Sequence, residues 1–109
     1  MMMSQPSTLA EISFQLILHA GDARSSAMEA IQAAKAGDYP AAKEKLAAAE
    51  ESFRKAHHVQ TGLLQQEAAG NEQAPSILLI HAQDHLMTSM TVKDLAQEFV
   101  ELYQQISTK

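Results

Sequence analysis

Small and apolar residues recur along this chain at alternating spacings of three and four, and that rhythm leaves few folds open. Leu9, Ser13, Leu16, Ala20, Ala23, Ala27, Ala30 and Ala34 form one series, and Ala42, Leu46, Ala49, Phe53, Ala56, Gln60 and Leu63 form a second. At about 100° per residue each series falls on one face of an α-helix, and a sustained alternation of three and four is the seam of left-handed bundle packing. With 46% hydrophobic residues, no Trp, two Tyr and three Phe, the apolar content suits close helix packing better than a β-sandwich. The expected fold class is all-α, and 109 residues make one domain.

Helix ends are marked chemically. Thr8 and Glu11 fit the capping-box pattern after Pro6, so a first helix is expected from near Thr8 to near Gly37. Residues 1–7 read as a flexible tail before a single domain over 8–109. A second helix is expected to open around Asp38 to Pro40 and run to about Ala69, before Gly70 and Asn71, with Gly62 a weak point inside it. A polar loop from about Gly70 to Pro75 leads to a third helix, which Ser76 helps to cap and which runs to about Gln105. Each helix would be roughly 40 Å long at 1.5 Å per residue.

The third helix differs from the other two. Ile77, His81, Asp84, His85, Thr88, Val92, Leu95, Phe99, Leu102 and Ile106 form one stripe, which reads as a packing seam. Leu78, Leu79, Ile80, Leu86, Met87 and Met90 cover its flanks and back, with Met87 and Met90 assigned to the core. A helix apolar on every side must be covered on every side. Two partners from one chain cannot do this, so an oligomer in which third helices meet is expected.

Two imidazoles and a carboxylate therefore share a face within an apolar segment. His81, Asp84 and His85 stand at i, i+3 and i+4. His and carboxylate at that spacing are common metal-ligand geometry, and on residue types alone a metal site is favoured. The H-E-x-x-H pattern is missing, which argues against a metallopeptidase. An imidazole also suits phosphoryl or proton transfer near neutrality, because its ordinary pKa of about 6.5 leaves a nucleophilic nitrogen available. Asp84 would repel a phosphoryl dianion unless neutralised, whereas Thr88, Ser89 and the Gln83 amide are candidate donors to its oxygens. His57 and His58 lack acidic partners in sequence, and they and His19, in the middle of the first helix, read as structural or solvated. Lys43 to Lys45 and Glu50-Glu51 read as a solvated face.

A net charge of −5 with no Lys/Arg cluster argues against nucleic-acid or anionic-membrane partners. With no cysteine there is neither a disulfide framework nor thiolate chemistry, which fits a cytoplasmic protein. No signal peptide or membrane span is expected.

From about Ile12 to Tyr103 the chain resembles the enzyme IIA component of the lactose/cellobiose, also N,N′-diacetylchitobiose, class of the bacterial phosphoenolpyruvate-dependent sugar phosphotransferase system. The likeness rests on GDARSSAMEAIQAAKAGDY at 21–39, AHHVQTGLLQQEA at 56–68 and HAQDHLMTSMTVKDLAQEFVELY at 81–103. Tyr39-Pro40 departs from it, where family members often carry an acidic residue after an aromatic. The resemblance implies three antiparallel helices per chain and a homotrimeric nine-helix bundle. It implies that His81 is the phosphorylated histidine, through Nε2, with Gln83 and His85 in supporting roles. It implies that Asp84 meets its symmetry mates at the trimer axis around a divalent cation, usually taken as Mg2+. His81 would receive its phosphoryl group from the histidine phosphocarrier protein and pass it to a cysteine of enzyme IIB, while enzyme IIC moves the sugar. The different-class alternative is a metal-stabilised trimeric helical adaptor whose histidines serve only as ligands.

Overall fold

The computed structural model describes residues 8–71 and 74–107, so the expected tail over 1–7 and the middle of the second loop lie outside the described residues. Three helices account for nearly all of it: α1 over Leu9–Lys35, α2 over Tyr39–Ala68 and α3 over Ile77–Ser107. No strand occurs among the described residues.

The helix ends follow the capping chemistry. The Glu11 amide donates to Thr8 Oγ1 at 3.1 Å while the Thr8 amide donates to Glu11 Oε1 at 2.8 Å, closing the capping box. Asp38 caps α2 by accepting from the Ala41 amide at 3.1 Å, and Ser76 caps α3 by accepting from the Leu79 amide at 3.1 Å. Gly37 and Gly70 end α1 and α2 at φ values of 83° and 96°, a left-handed conformation that favours glycine. Each is followed by an amide that reaches back across the last turn: Asp38 to the Ala33 carbonyl and Asn71 to the Gln66 carbonyl, both at 2.9 Å. These bonds satisfy carbonyls that a helix end leaves open.

Packing runs up, down, up, with α1 in the middle. Leu16 and Ala20 of α1 meet Ala56 and Leu63 of α2 and Ala82 and Leu86 of α3 in one cluster. Ala27 then meets Ala49 and Ala96, and Ala30 and Ala34 meet Ala42 and Val100. So α1 lies antiparallel to α2 and parallel to α3. Both sequence seams are buried as expected: Ser13, Leu16, Ala20, Ala23, Ala27, Ala30 and Ala34 on α1, and Ala42, Ala49, Ala56 and Leu63 on α2.

Most of the stripe read on α3 is turned away from the other two helices, although Val92 packs against the cluster of Ala27, Ala49 and Ala96 and His85 is half-buried. The residues α3 buries are Ala82, Leu86, Ser89, Ala96 and Val100. Ile77, Leu95, Phe99, Leu102 and Ile106 are between 44% and 86% exposed, and Met87 is 48% exposed rather than part of the core. The reason is size. The face of α1 that receives α3 is lined by alanines, and close approach selects the small residues of α3, leaving the bulky ones outside. Phe14 and Leu18 on α1 are likewise exposed.

α2 and α3 touch least, and polar links join them. Lys93 Nζ sits 2.9 Å from Glu50 Oε1 and 3.1 Å from Asp94 Oδ1, and 5.4 Å above the Phe53 ring. Burial acts to lower the Lys93 pKa, but Glu50 and Asp94 outweigh it and hold the ammonium above the ordinary lysine range. At the far end the Tyr39 hydroxyl reaches the Tyr103 carbonyl at 3.1 Å and Ser107 Oγ at 2.8 Å.

Candidate functional site

The four residues singled out in sequence lie within the second and third turns of α3, and the helix sends them in three directions. His81 and Asp84 are exposed on the outward apolar face, while Gln83 and His85 are half-buried. The His81 and His85 rings are stacked, with centroids 6.1 Å apart and planes 6° from parallel. Such a contact restricts how the exposed His81 ring can tilt. In one chain nothing buries the His81 ring. His85 turns back towards α1, where its Nε2 faces the backbone at Gly21.

Gln83 points the other way, into a groove between α2 and α3 lined by Leu63, Leu64, Pro75, Leu79 and Ile80. Its Oε1 accepts from Gln60 Nε2 at 2.7 Å. Gln60 was read only as a seam position, and its polarity there is the signal that a partner was needed. Within one chain Gln83 does not converge on the His81 ring, because residues two apart on a helix do not face each other.

The two hydroxyls considered as donors are not available to His81 in one chain. The Thr88 hydroxyl is engaged by its own helix, at 3.0 Å from the Asp84 carbonyl and 3.2 Å from the His85 carbonyl. Ser89 lies on the opposite, buried face, and its Oγ has no hydrogen-bond partner among the described residues. His57 and His58 are exposed, and His57 stacks on Phe53 at 6.0 Å between centroids. His19 is half-buried beside Arg54, Lys55 and His58 in a shallow groove between α1 and α2.

Among the described residues no three or more His, Cys, Asp or Glu side chains gather to hold a metal within one chain. Asp84 contributes one carboxylate, set on the outward face and, among the described residues, without an ion pair or side-chain hydrogen bond. An oxygen ligand of this kind suits a hard cation such as Mg2+ and needs further oxygens from outside the chain. Among the described residues no helix is long and apolar enough to cross a membrane.

Residues 11–104 match the family described as the lactose/cellobiose-specific IIA subunit of the phosphotransferase system. The lichenan-specific phosphotransferase enzyme IIA component of Bacillus subtilis (strain 168) is 57% identical over 97 residues, covering 89% of this chain and 88% of that protein. A crystal structure of the cellobiose-specific enzyme IIA from Bacillus anthracis superposes with a TM-score of 0.90 at 53% identity, over 95% of this chain and 96% of that one. The IIA(chitobiose) chain in solution structures of its complex with HPr, from Escherichia coli, gives a TM-score of 0.81 at 38% identity, over 94% of this chain and 99% of that one. With its three-helix fold and nearly its whole length matched, this chain belongs to the lactose/cellobiose-specific IIA family of the phosphotransferase system.

Proposed function

We propose that this chain is a phosphocarrier in bacterial sugar uptake, and that His81 is the residue that carries the phosphoryl group. The observation that supports it most directly is the setting of His81: exposed, and stacked on a half-buried His85 that limits its ring motion. A relay histidine needs an open approach and a fixed aim more than an elaborate catalytic apparatus. The donor is the histidine phosphocarrier protein, a reading supported by the related Escherichia coli chain, whose structures are of an IIA–HPr complex. His81 Nε2 attacks the phosphorus of the donor phosphohistidine, the donor N–P bond breaks, and a new N–P bond forms on His81. In the next step a cysteine thiolate of enzyme IIB attacks the same phosphorus and His81 leaves as free imidazole. The cognate transporter moves a sugar of the lactose/cellobiose class, a reading supported by relatives named for lichenan, lactose and cellobiose.

The working form is a homotrimer. Support comes from the row Ile77, Leu95, Phe99, Leu102 and Ile106, which one chain leaves in water and a bundle of third helices would cover. Asp84 lies on that same face. Three converging carboxylates would repel strongly, and a divalent cation held by them would turn repulsion into an assembly contact. Gln83 would act from its groove on the docked protein or on a neighbouring subunit's phosphoryl group rather than on its own His81.

The test is incubation with phosphoenolpyruvate, enzyme I and the carrier protein, followed by mass measurement. One phosphate-sized increase per chain is expected. No increase, with a trimer that binds metal, would favour the adaptor reading instead.

A further inference from the structure

Two of the chain's eight Lys/Arg residues and two of its five histidines line one groove between α1 and α2. His19 comes from α1, and Arg54, Lys55 and His58 come from α2, with Glu51 and Val59 completing the wall. In a chain of net charge −5 this is a local excess of cationic and imidazole groups, and it forms only because the packing of α1 on α2 brings His19 beside the second helix. Lys45 and Lys93 are held by carboxylates, from Glu29 and from Glu50 and Asp94, whereas Lys55 has no ion pair among the described residues. Arg54 pairs with Glu51 within its own helix, an exposed contact of the kind that contributes little and exchanges easily. Two fixed cations therefore face one carboxylate in the groove, and Asp22, a turn beyond His19, is not part of the lining.

A metal ion is poorly served here: among the described residues no three His, Cys, Asp or Glu gather to hold one, and the Arg54 and Lys55 charges would repel it. An anion is well served. A guanidinium forks onto two oxygens, an ammonium supplies a point charge, and each imidazole offers one N–H when neutral and two when protonated. Val59 and the aliphatic stems of Arg54 and Lys55 add apolar surface beside these donors. The cavity, about 490 Å³, is larger than a bare phosphate fills and has the size of a small-molecule site. We propose that this groove binds a phosphate monoester with a small uncharged body: Arg54, Lys55 and the two imidazoles hold the anion, and the body lies against Val59. The site is separate from the relay. α3 contributes nothing to it, and the exposed apolar side of α1 turns the other way, with Met28 beside Val92, Leu95 and Phe99 in the groove between α1 and α3. A bundle of third helices leaves the groove between α1 and α2 on its periphery.

The probe is glucose 6-phosphate, titrated into the full chain at constant pH and followed through the imidazole proton shifts of His19 and His58, with glucose and inorganic phosphate titrated in parallel. Saturable shifts at both histidines are expected at millimolar ester, weaker binding with phosphate and none with glucose. R54M and K55M should each weaken binding about tenfold, the scale of one lost hydrogen bond to a charged group, and K55R should retain most of it. E51Q releases Arg54 and removes the opposing charge, so it should bind the ester more tightly. K43M makes the same change in net charge elsewhere on α2 and should bind as the unmutated chain does. Arg54, Lys55, Glu51 and Lys43 are all exposed, and circular dichroism checks that each variant retains its helices. No saturable shift at millimolar ester, equal weakening by K43M and K55M, or weaker binding in E51Q would overturn the proposal. Glucose binding as tightly as the ester would overturn it too, and phosphate binding as tightly would overturn the part assigned to Val59. The titration needs no phosphoryl transfer, so its failure and a failure of the relay reading are separate results.

Discussion

Gln60 donates its amide to Oε1 of Gln83 at 2.7 Å, across the seam between α2 and α3, where the two helices touch least. A bond between neutral side chains, both half-buried, contributes about 1 kcal/mol, and the larger penalty falls on whichever partner is left unpaired. Q60L is therefore expected to lower stability by about 1 kcal/mol and to release Gln83 into the groove. Q60E retains size but can only accept, so it should turn the Gln83 amide round to donate inward. Urea unfolding reads the first effect and the Gln83 side-chain amide proton resonances the second.

Ser89 and Gly62 are positions where the sequence opposes the fold. Ser89 is fully buried and its Oγ has no partner among the described residues, and S89A removes the unmet hydroxyl, so stability should rise by about 1 kcal/mol. G62A should add about as much through helix propensity, with no contact to disturb. The two sites share no cluster, so their combined effect should be close to the sum in thermal or denaturant unfolding.

Lys93 predicts an alkaline limit on stability. Its pKa in the folded chain is raised, through the balance of burial against Glu50 and Asp94. A group with a raised folded pKa contributes stability in full below its unfolded value, about 10.4 for lysine, and that contribution is lost as pH rises through the folded value. The melting temperature should thus hold steady near neutrality in this respect and fall above about pH 10. K93M, which retains a chain over the Phe53 ring, should melt lower than the unmutated protein at neutral pH, with the gap closing at alkaline pH.

How much of this was legible in sequence depended on which interactions are local. Capping at Thr8, Asp38 and Ser76 and the left-handed stops at Gly37 and Gly70 depend on neighbours within a few residues, and they could be read directly. The seams of α1 and α2 were legible because the rest of each helix is largely polar, Phe14 and Leu18 on α1 apart. α3 is apolar nearly all round, so periodicity found a stripe without saying whether it faced the chain's own core or another chain; the alanines of α1 decide that. The pairing of Gly21 with His85 and of Gln60 with Gln83 depends on the register between helices, which no single helix encodes. The likeness identified His81 and Asp84, and the fold adds that both face outward while Gln83 does not.

The outward row predicts the assembly. Light scattering is expected to give about three times the chain mass of 11.9 kDa. F99D, a charge placed among Leu95, Leu102 and Ile106, should dissociate the trimer while leaving each chain helical. D84L should retain the trimer, since an apolar residue replaces a buried charge cluster at little cost, and should remove the metal. Metal analysis and chelation decide the second part: an unmutated trimer with no metal above background, and no change in melting on chelation, would remove Asp84 from that role.

The relay itself makes the last prediction. In one chain His81 is exposed and His85 is half-buried against α1, so an approaching protein meets the first ring before the second. Transfer requires the donor nitrogen, phosphorus and His81 Nε2 to stand nearly in line, which only an outward ring offers to a partner. H81A should abolish phosphorylation with helicity and assembly intact. H85A should retain the modified site and slow transfer, because the His81 ring then explores orientations that the stack excludes; a loss of about tenfold corresponds to about 1.4 kcal/mol in the barrier. Mapping under alkaline conditions, which preserve the N–P bond, should find phosphate on His81 in the unmutated chain. Phosphate on His85 or on the exposed His57 would show that the carrier is another histidine and that the stack serves a different purpose.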